Sequence, residues 1–257
     1  MAPSYTHLFI VCPNNSGSTL LVELLGTSAQ ASIFPSLNHE GQWVAKAAGD
    51  GVMPYPKGHE RRNWTVNAEK FANPGNYDWP RLKQAWSDAW NPSKTVRIEK
   101  TPSLVVSAPL FQSRFDNARF ILCMRDPYAF CEGVRRREGY SLETAATHWL
   151  RCAELQLRNR QVLAPHLFIT YEELCGRVSE VAGRIAALVP ELGDVDVTRV
   201  FDVMSCRSEI RDQNRAQISQ LAHDDISVIN RVLAQHLSTL EVLGYDLFDE
   251  REYEACN

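Results

Sequence analysis

The segment from Phe9 to Leu21 reads Phe-Ile-Val-Cys-Pro-Asn-Asn-Ser-Gly-Ser-Thr-Leu-Leu. Its apolar start predicts a buried strand, its polar centre predicts a loop with one glycine, and its leucines begin the stripe of an amphipathic helix. A strand, a loop and a helix in this order direct several backbone N–H groups and the positive end of a helix dipole at one point. We therefore expect this point to bind a phosphate group or a similar anion.

The side chains of the loop favour the same interpretation. Ser16, Ser18 and Thr19 add three hydroxyl donors, and Gly17 allows the backbone to approach the anion closely. The simpler alternative, a turn capped by one serine, accounts for only one of these hydroxyls. The loop lacks the lysine of the nucleotide-kinase motif Gly-x-x-x-x-Gly-Lys-[Ser/Thr], and the chain lacks the motifs Gly-x-Ser-x-Gly and Gly-x-Gly-x-x-Gly. These absences disfavour ordinary NTPases, serine hydrolases and dinucleotide dehydrogenases.

Three more short apolar runs have the length and composition of buried strands: Val96–Ile98, Phe120–Met124 and Leu167–Thr170. Together with the run Leu8–Cys12, they alternate with helical patterns. Helical stripes lie at residues 20–25, 142–157, 174–188 and 226–240, and Ser141 is the expected N-cap of the second stripe. This alternation predicts an α/β fold with three layers, α/β/α, around a central and mostly parallel sheet.

Residues 41–95 interrupt the alternation. The segment contains five prolines and five of the six tryptophans of the chain. About 55 residues are few for an independent core, so we interpret the segment as an insertion of loops and helices on the sheet, and residues 1–257 as a single domain. Aromatic faces suit sugars and flat apolar rings, so these tryptophans are candidates for lining a ligand pocket, although tryptophans more often belong to a core.

The composition disfavours several other classes of protein. The 257 residues are 44% hydrophobic and 23% charged, as in a globular protein, and the net charge of −4 disfavours a nucleic-acid binder. The seven cysteines are widely spaced and the histidines are scattered, so we expect buried free cysteines and no metal site. No apolar run approaches the ~20 residues of a membrane span, and no basic region precedes the first one, so we expect no membrane span, no signal peptide and a cytoplasmic location.

A second polar group follows the predicted strand at residues 120–124, where the sequence continues Arg125-Asp126-Pro127. An arginine at the end of a parallel strand lies at the edge of the sheet where α/β folds bind ligands. Its planar guanidinium suits a phosphate monoester. The alternative is a strand-end arginine that pairs with Asp126.

Together these motifs resemble those of the sulfotransferase family, which uses 3′-phosphoadenosine 5′-phosphosulfate (PAPS). The first loop of that family reads Pro-[Lys/Arg]-Ser-Gly-[Thr/Ser]-[Thr/Ser]-Leu-Leu, and Pro13–Leu21 is similar to it except at Asn15, where the family has a cation. The resemblance implies a fold like that of the P-loop NTPases. It also implies that the 5′-phosphosulfate is bound by Asn15, Ser16, Gly17, Ser18, Thr19 and Leu20.

The Arg-Asp-Pro segment resembles a second family motif, in which a strand is followed by Arg-[Asp/Asn]-Pro and, eight residues further on, by a serine. The resemblance implies that Arg125 binds the 3′-phosphate of PAPS. Gly133 stands at the position of the serine, so one hydroxyl is lost. Cys131 or a backbone N–H group is a candidate to replace it.

Two weaker resemblances lie further along the chain. Phe168–Leu174 resembles a family strand that ends in Tyr-Glu-[Asp/Glu]-Leu, which implies that Tyr171 lies near the nucleotide, although an ordinary strand-to-helix joint is an equal alternative. Family members often supply a basic loop to the 3′-phosphate near the C-terminus, and Arg211 and Arg215 are the corresponding candidates. We interpret the three arginines at residues 135–137 as a solvated helix end.

The candidates for catalysis are Glu40, His39 and Lys100. Glu40 resembles the base of a family branch that includes the tyrosine-protein sulfotransferases, and His39 is its rival because the ordinary pKa of histidine suits a base near neutral pH. Lys100 ends a predicted strand and resembles the lysine that assists the leaving group in that branch; it would supply the cation that Asn15 lacks. The alternatives are a loop with two solvated polar residues and a surface Glu–Lys pair.

The resemblance implies an enzyme that moves a sulfuryl group from PAPS to a hydroxyl or amine of a small-molecule or saccharide acceptor, with no metal and no nucleic acid. The segment 41–95 is then expected to form a lid on the acceptor side. Two alternatives stay open. One is a kinase-like phosphotransferase that uses ATP and magnesium; the other is a nucleotide-binding module without turnover, which the departures at Asn15 and Gly133 favour.

Overall fold

A computed structural model describes residues 5–57, 63–203, 206–208 and 210–248 of the chain. Its centre is a five-stranded sheet in which every pairing is parallel and the strand order is β2-β3-β1-β4-β5. The strands are β1 (Thr6–Val11), β2 (Ala31–Ser32), β3 (Val96–Glu99), β4 (Ala118–Met124) and β5 (His166–Thr170). The predicted parallel α/β sheet is therefore confirmed, and the two-residue strand β2, which is too short to leave a pattern, is an addition to it.

Helices connect and cover the strands. They are α1 (Ser18–Leu25), α2 (Gly41–Ala48), α3 (Ala68–Ala72), α4 (Trp79–Ala89), α5 (Leu104–Arg114), α6 (Pro127–Glu138), α7 (Leu142–Val162), α8 (Tyr171–Gly176), α9 (Val178–Leu188), α10 (Asn214–Ile218), α11 (His223–Leu233) and α12 (Leu237–Leu243). A small antiparallel pair, β6 (Phe201–Val203) and β7 (Cys206–Ser208), precedes α10. The predicted N-cap at Ser141 is confirmed, since its side chain accepts a hydrogen bond from the backbone N–H of Thr144.

Two of the predicted helical stripes do not form single helices. The stripe at residues 174–188 is divided between α8 and α9, because Arg177 has non-helical dihedral angles. The stripe at residues 226–240 is divided between α11 and α12, with a turn of 3₁₀ helix at 234–236 and a non-helical His236 between them. In both cases the apolar period continues across the break, so the sequence does not reveal it. Helix α5 carries Pro109 in its interior, and we did not predict it.

Side chains alternate between the two faces of the sheet, and each face has its own apolar layer. On one face, Phe9, Val11 and Phe120 pack with residues of α4, α5 and α7. On the other face, Leu8 and Ile10 pack with residues of α1 and α9. This arrangement confirms the three layers that the sequence predicts.

The tryptophan-rich segment at residues 41–95 packs on the first of these faces. Trp64, Trp86 and Trp90 are fully buried in the same apolar cluster as strands β1 and β4. The indole N–H of Trp86 also donates to the carbonyl oxygen of Gly41 at 3.0 Å. The segment and the sheet therefore share one core, and three of its five tryptophans are core residues.

Two further expectations concern the burial of the cysteines and the absence of a membrane-spanning helix. Four cysteines are buried and unbridged, namely Cys12, Cys123, Cys131 and Cys152. Cys256, which we also expected to be buried, lies outside the described residues. Within the part of the chain that the structure describes, no helix combines the length and the apolar character that crossing a bilayer requires.

Candidate active site

The segments that follow β1, β3, β4 and β5 meet at the carboxyl edge of the sheet and form the walls of a cleft of about 760 Å³. Parallel α/β sheets bind ligands at this edge, where neighbouring strands send their connections to opposite sides. Residues from all four segments line the cleft, among them Asn15, Lys100, Arg125 and Tyr171. The candidate residues of four separate motifs therefore reach one cavity.

The loop between β1 and α1 has the backbone that the sequence predicts for an anion site. Gly17 is the N-cap residue of α1 and lies in the left-handed region with φ of 78°. Because glycine has no side chain, no side-chain cap binds the first N–H groups of α1. The ring of Tyr171 packs directly against Gly17, because a Cβ atom added at residue 17 would lie 2.4 Å from Tyr171 Cδ2. The φ angle and the close ring both require glycine here.

Three buried polar atoms near this loop have no protein partner. They are the amide nitrogen of Asn15, the hydroxyl of Ser16 and one terminal nitrogen, Nη2, of Arg125. Leaving a buried donor unsatisfied costs about 1–3 kcal/mol, and Asn15 and Arg125 both line the cleft. Three such groups on adjacent segments fit a ligand that carries several acceptor oxygens.

The guanidinium of Arg125 is held in place from three sides. Its Nε donates to Asn214 Oδ1 at 2.8 Å, its Nη1 donates to the carbonyl oxygen of Asn15 at 3.0 Å, and it lies 4.1 Å from the centre of the Tyr171 ring. Asp126 is not its partner; that carboxylate instead accepts from two N–H groups at the start of α6. Arg125 therefore retains a donor for a ligand, which the alternative pairing with Asp126 would have removed.

Helix α6 brings charged residues that the sequence analysis placed in solvent. Arg136 and Arg137 both line the cleft, and Arg137 Nη1 donates to Asn15 Oδ1 at 2.8 Å. Arg136 Nε donates to the buried carboxylate of Glu132 at 2.8 Å. The interpretation of residues 135–137 as a solvated helix end therefore holds for Arg136 and Arg137, which are exposed in the last turn of α6 and also line the cleft. The one-turn spacing from Gly133 to Arg137 was the signal that could have placed Arg137 beside the loop.

Gly133 faces the same corner of the cleft. A Cβ atom added there would lie 3.8 Å from Gln217 Oε1 and 3.9 Å from the Asn15 side chain, which is ordinary contact. Gln217, on the short helix α10, lines the cleft at this point, whereas Cys131 is fully buried. A polar group from a distant segment thus stands beside the place where the expected serine is missing, and nothing in the local sequence indicates it.

At the other end of the cleft, Lys100 and Glu40 form a buried ion pair. Lys100 Nζ lies 3.1 Å from Glu40 Oε1 and 3.5 Å from Thr19 Oγ1. Lys100 is only 2% exposed and Glu40 only 7%. Glu40 also accepts hydrogen bonds from the indole N–H of Trp43 and from the side-chain amide of Gln42. Lys100 is therefore not part of a surface pair with its neighbour Glu99, the alternative that the sequence left open, because both residues are buried. Its ion pair with Glu40 lies beside the phosphate loop.

His39 turns away from this cluster. Its Nδ1 lies 2.9 Å from the carbonyl oxygen of Phe34 and its Nε2 lies 2.7 Å from a carboxylate oxygen of Glu23. Both ring nitrogens are therefore engaged with protein oxygens that lie outside the cleft. Glu40, and not His39, lines the cleft.

Glu99 is a buried acid that the sequence analysis did not single out. It lies behind the ion pair, and its Oε2 accepts from the backbone N–H of Gly41 at 2.8 Å while its Oε1 has no partner. Burial raises the pKa of Glu99 to about 8. The carboxyl group is therefore largely protonated at neutral pH. An acidic residue directly after the run at residues 96–98, which predicts a buried strand, was the available signal.

The remaining candidates lie on the Arg125 side. The hydroxyl of Tyr171 donates to the carbonyl oxygen of Arg211 at 3.3 Å and accepts from the N–H of Gln213 at 3.2 Å. Arg211 lines the cleft, whereas Arg215 does not. Among the described residues, no group of three or more His, Cys, Asp or Glu side chains is placed to hold a metal ion.

Comparison with known proteins agrees with this geometry. A family model described as "Sulfotransferase family" matches residues 7–191, and no curated protein matches the sequence. Three similar solved structures are a sulfotransferase domain from the curacin biosynthetic pathway (17% identity, 96% of this chain and 100% of that one, TM-score 0.53), one from the Synechococcus PCC 7002 olefin synthase (20%, 96% and 96%, 0.55) and a Mycobacterium avium sulfotransferase (15%, 96% and 79%, 0.51). At these identities the three structures show the fold alone. The resemblance to the tyrosine-protein branch stays a prediction.

Replacement of Gly17 by alanine should disable the loop. The substitution places Cβ against the Tyr171 ring and costs about 1–2 kcal/mol for the left-handed backbone, so we expect at least a tenfold loss of affinity for adenosine 3′,5′-bisphosphate, measured by calorimetry. Gly183→Ala, on α9 with open space around its Cβ position, is the matched control and should bind as the parent does. Equal affinities of the two variants would contradict this account of the loop.

Replacement of Glu99 by glutamine should change how stability depends on pH. Between the ordinary pKa of 4.5 and about 8, the folded protein holds a proton that the unfolded chain has released, so the parent loses stability as pH rises, by about 1.4 kcal/mol for each unit of pKa shift. Glu99→Gln does not titrate and should gain on the parent from pH 5 to pH 8 in urea unfolding. Parallel stability curves would show that the pKa of Glu99 is not raised.

Proposed function

Because this chain belongs to the sulfotransferase family, we propose that it transfers a sulfuryl group from PAPS to a hydroxyl or amine of an acceptor bound at the Glu40 end of the cleft. Family membership implies a donor of the PAPS type in general. The observation that carries the proposal is the direct contact of Arg125 with the phosphate loop, Nη1 to the Asn15 carbonyl oxygen at 3.0 Å. One ligand can therefore reach both groups.

The donor would be held by the phosphate loop and by Arg125. The N–H groups at the start of α1 and the hydroxyls of Ser16, Ser18 and Thr19 suit the 5′-phosphosulfate. The free nitrogen of Arg125 suits the 3′-phosphate, with Gln217 as the neighbouring polar group in place of the serine. Tyr171, which packs on both Gly17 and Arg125, separates and orients the two phosphate sites.

PAPS supplies the sulfuryl group, and its transfer leaves a negative charge on the oxygen that bridged sulfur and phosphorus. Lys100 lies beside Thr19 of the loop and brings a cation to the place where that charge develops. Arg137, hydrogen-bonded to Asn15, adds a second positive charge at the loop. These two residues make up for the cation that is missing at position 15.

Glu40 is the base in this proposal. Its carboxylate lines the cleft, and hydrogen bonds from Trp43 and Gln42 fix its orientation. The proton of the acceptor hydroxyl passes to a Glu40 oxygen as the hydroxyl attacks sulfur. His39 takes no part, since both of its ring nitrogens contact protein oxygens outside the cleft.

The acceptor would lie against the apolar part of the cleft. This part is lined by Leu20, Leu37, Trp43, Pro56 and Pro102. Trp43 and Pro56 come from the 41–95 segment, which supports its role as a wall or lid on the acceptor side. An apolar wall with one indole suits a small-molecule or saccharide acceptor that has an apolar face next to its hydroxyl.

Calorimetry and an acceptor screen test the proposal. We expect adenosine 3′,5′-bisphosphate to bind at micromolar or lower concentration and ATP with magnesium to bind much more weakly, because the loop has no P-loop lysine. Labelled PAPS incubated with a panel of alcohols, phenols, amines and sugars should yield a sulfated product by mass spectrometry. Stronger binding of ATP would support a kinase-like enzyme, and binding without transfer would support a module without turnover.

Replacement of Lys100 by alanine should separate chemistry from binding. We expect kcat to fall about 10²–10³-fold, because the variant removes a charge that stabilises the leaving oxygen, while affinity for adenosine 3′,5′-bisphosphate changes about threefold or less. Lys83→Ala, which removes an exposed lysine outside the cleft, is the control and should turn over normally. Unchanged kcat in Lys100→Ala would exclude the lysine from the mechanism.

A further inference from the structure

We propose that His148 is a positioning residue of the phosphate loop: its Nε2–H group holds the side chain of Asn14 and thereby fixes the loop at the point where it leaves strand β1. The inference rests on the proposed function in so far as it assumes that this loop binds phosphate groups. It concerns a residue of α7 that lies outside the motifs described above.

His148 forms the middle of a buried chain of hydrogen bonds. Its Nε2 lies 3.2 Å from Asn14 Oδ1, and its Nδ1 lies 2.6 Å from the hydroxyl of Thr65. The residue is 1% exposed, and the ring of Trp64 packs edge-on against it at 5.2 Å. Asn14 lines the cleft. The imidazole thus connects the 41–95 segment to the phosphate loop through the core.

The two contacts determine which nitrogen carries the hydrogen. An amide oxygen only accepts, so Nε2 is the donor to Asn14, and Nδ1 accepts from the hydroxyl of Thr65. Burial lowers the pKa of His148 to about 3, with the charge of Arg151 acting in the same direction. The ring is therefore neutral and has one tautomer. With Oδ1 held by His148, the amide nitrogen of Asn14 points away from the histidine.

Helix α7 holds the end of β1 at a second point. Gln156 lies two helical turns after His148 on the same face, and its amide nitrogen donates to the carbonyl oxygen of Val11 at 2.6 Å and to that of Cys123 at 3.1 Å. The helix therefore fixes the chain both where β1 ends and where the loop begins. This matters because the next residues adopt strained backbone angles, with φ of 60° at Asn15 and 78° at Gly17.

A purely structural role would not require this polarity. The ring is surrounded by Trp64 and Phe130, so an apolar side chain of similar size would fill the same space. A buried polar ring must find partners for its nitrogen atoms or lose stability, and here one of the two partners belongs to the loop. The donor on Nε2 is the atom on which the proposal depends.

A matched pair of substitutions tests this atom. In His148→Gln the side-chain amide can place a donor near the position of Nε2, whereas in His148→Asn the shorter amide reaches only the position of Nδ1. One hydrogen bond contributes about 1 kcal/mol, or about fivefold in affinity. We expect the Asn variant to bind adenosine 3′,5′-bisphosphate about 5–10-fold more weakly than the parent and the Gln variant to stay within about twofold, by calorimetry.

A double-mutant cycle separates positioning from a loss of packing. If His148 acts through Asn14, His148→Asn should have no further effect on affinity once Asn14→Ala is present. Equal weakening in the Gln and Asn variants, no weakening in either, or additive effects with Asn14→Ala would each overturn the proposal. Thermal unfolding identifies any variant that does not fold. In that case we use Thr65→Val, which removes the hydroxyl that contacts His148 Nδ1 and Asn63 Oδ1 and leaves the contact of His148 with Asn14 in place. This variant should keep its affinity within about twofold, and a larger loss counts against the proposal.

Inorganic pyrophosphate provides an arm that does not depend on the nucleotide. It can occupy the loop without the adenosine site, and its affinity should follow the same order of parent, Gln and Asn variants. If the parent binds pyrophosphate but not adenosine 3′,5′-bisphosphate, the proposed function fails while the inference on His148 is still tested by pyrophosphate. If the parent binds neither, both are overturned.

Discussion

The hydrogen bond from Arg125 to the carbonyl oxygen of Asn15 joins the two halves of the candidate site. Strands β1 and β4 are parallel neighbours, so their carboxyl ends lie side by side and the residues that follow them can touch. Tyr171, at the end of the next strand, covers both by packing on Gly17 and on the guanidinium. The convergence of unpaired donors in the cleft depends on this contact, because Asn15 and Ser16 follow β1 whereas Arg125 follows β4.

The two ends of the cleft have different electrostatic designs. The Arg125 end collects arginine side chains, although the whole chain has a net charge of −4, and so concentrates positive charge where anions are expected to bind. The Glu40 end holds one buried ion pair, Lys100 and Glu40, next to Glu99. Burial keeps a proton on Glu99 at neutral pH, which prevents a second carboxylate charge from competing for the lysine. A buried ion pair stays favourable only when its surroundings satisfy it in this way.

Much of the fold could be predicted because most strands are short apolar runs with clear ends. Prediction failed where the sequence carries little sign of an element or of its end. Strand β2 has only two residues and α5 contains Pro109. The break at Arg177 leaves the apolar period of the helical stripe intact. In the candidate site, sequence motifs led to the loop, to Arg125 and, as separate candidates, to Glu40 and Lys100; the ion pair between the last two was not predicted. They did not lead to Arg137, Gln217 or His148, which lie on α6, α10 and α7 at positions that belong to none of the motifs.

The sequence by itself determined the local features: a strand that ends in a polar loop, a glycine where the backbone turns left-handed, and an arginine at a strand end. Only the tertiary structure decided which distant side chains complete the site. Arg137 and Asn15 are 122 residues apart in the chain, and His148 and Asn14 are 134 apart. An apolar stripe specifies which face of a helix is buried but not what that face packs against. The partners of α6 and α7 therefore follow from packing and cannot be derived from sequence periodicity. The same is true of the orientation of His39 toward Glu23.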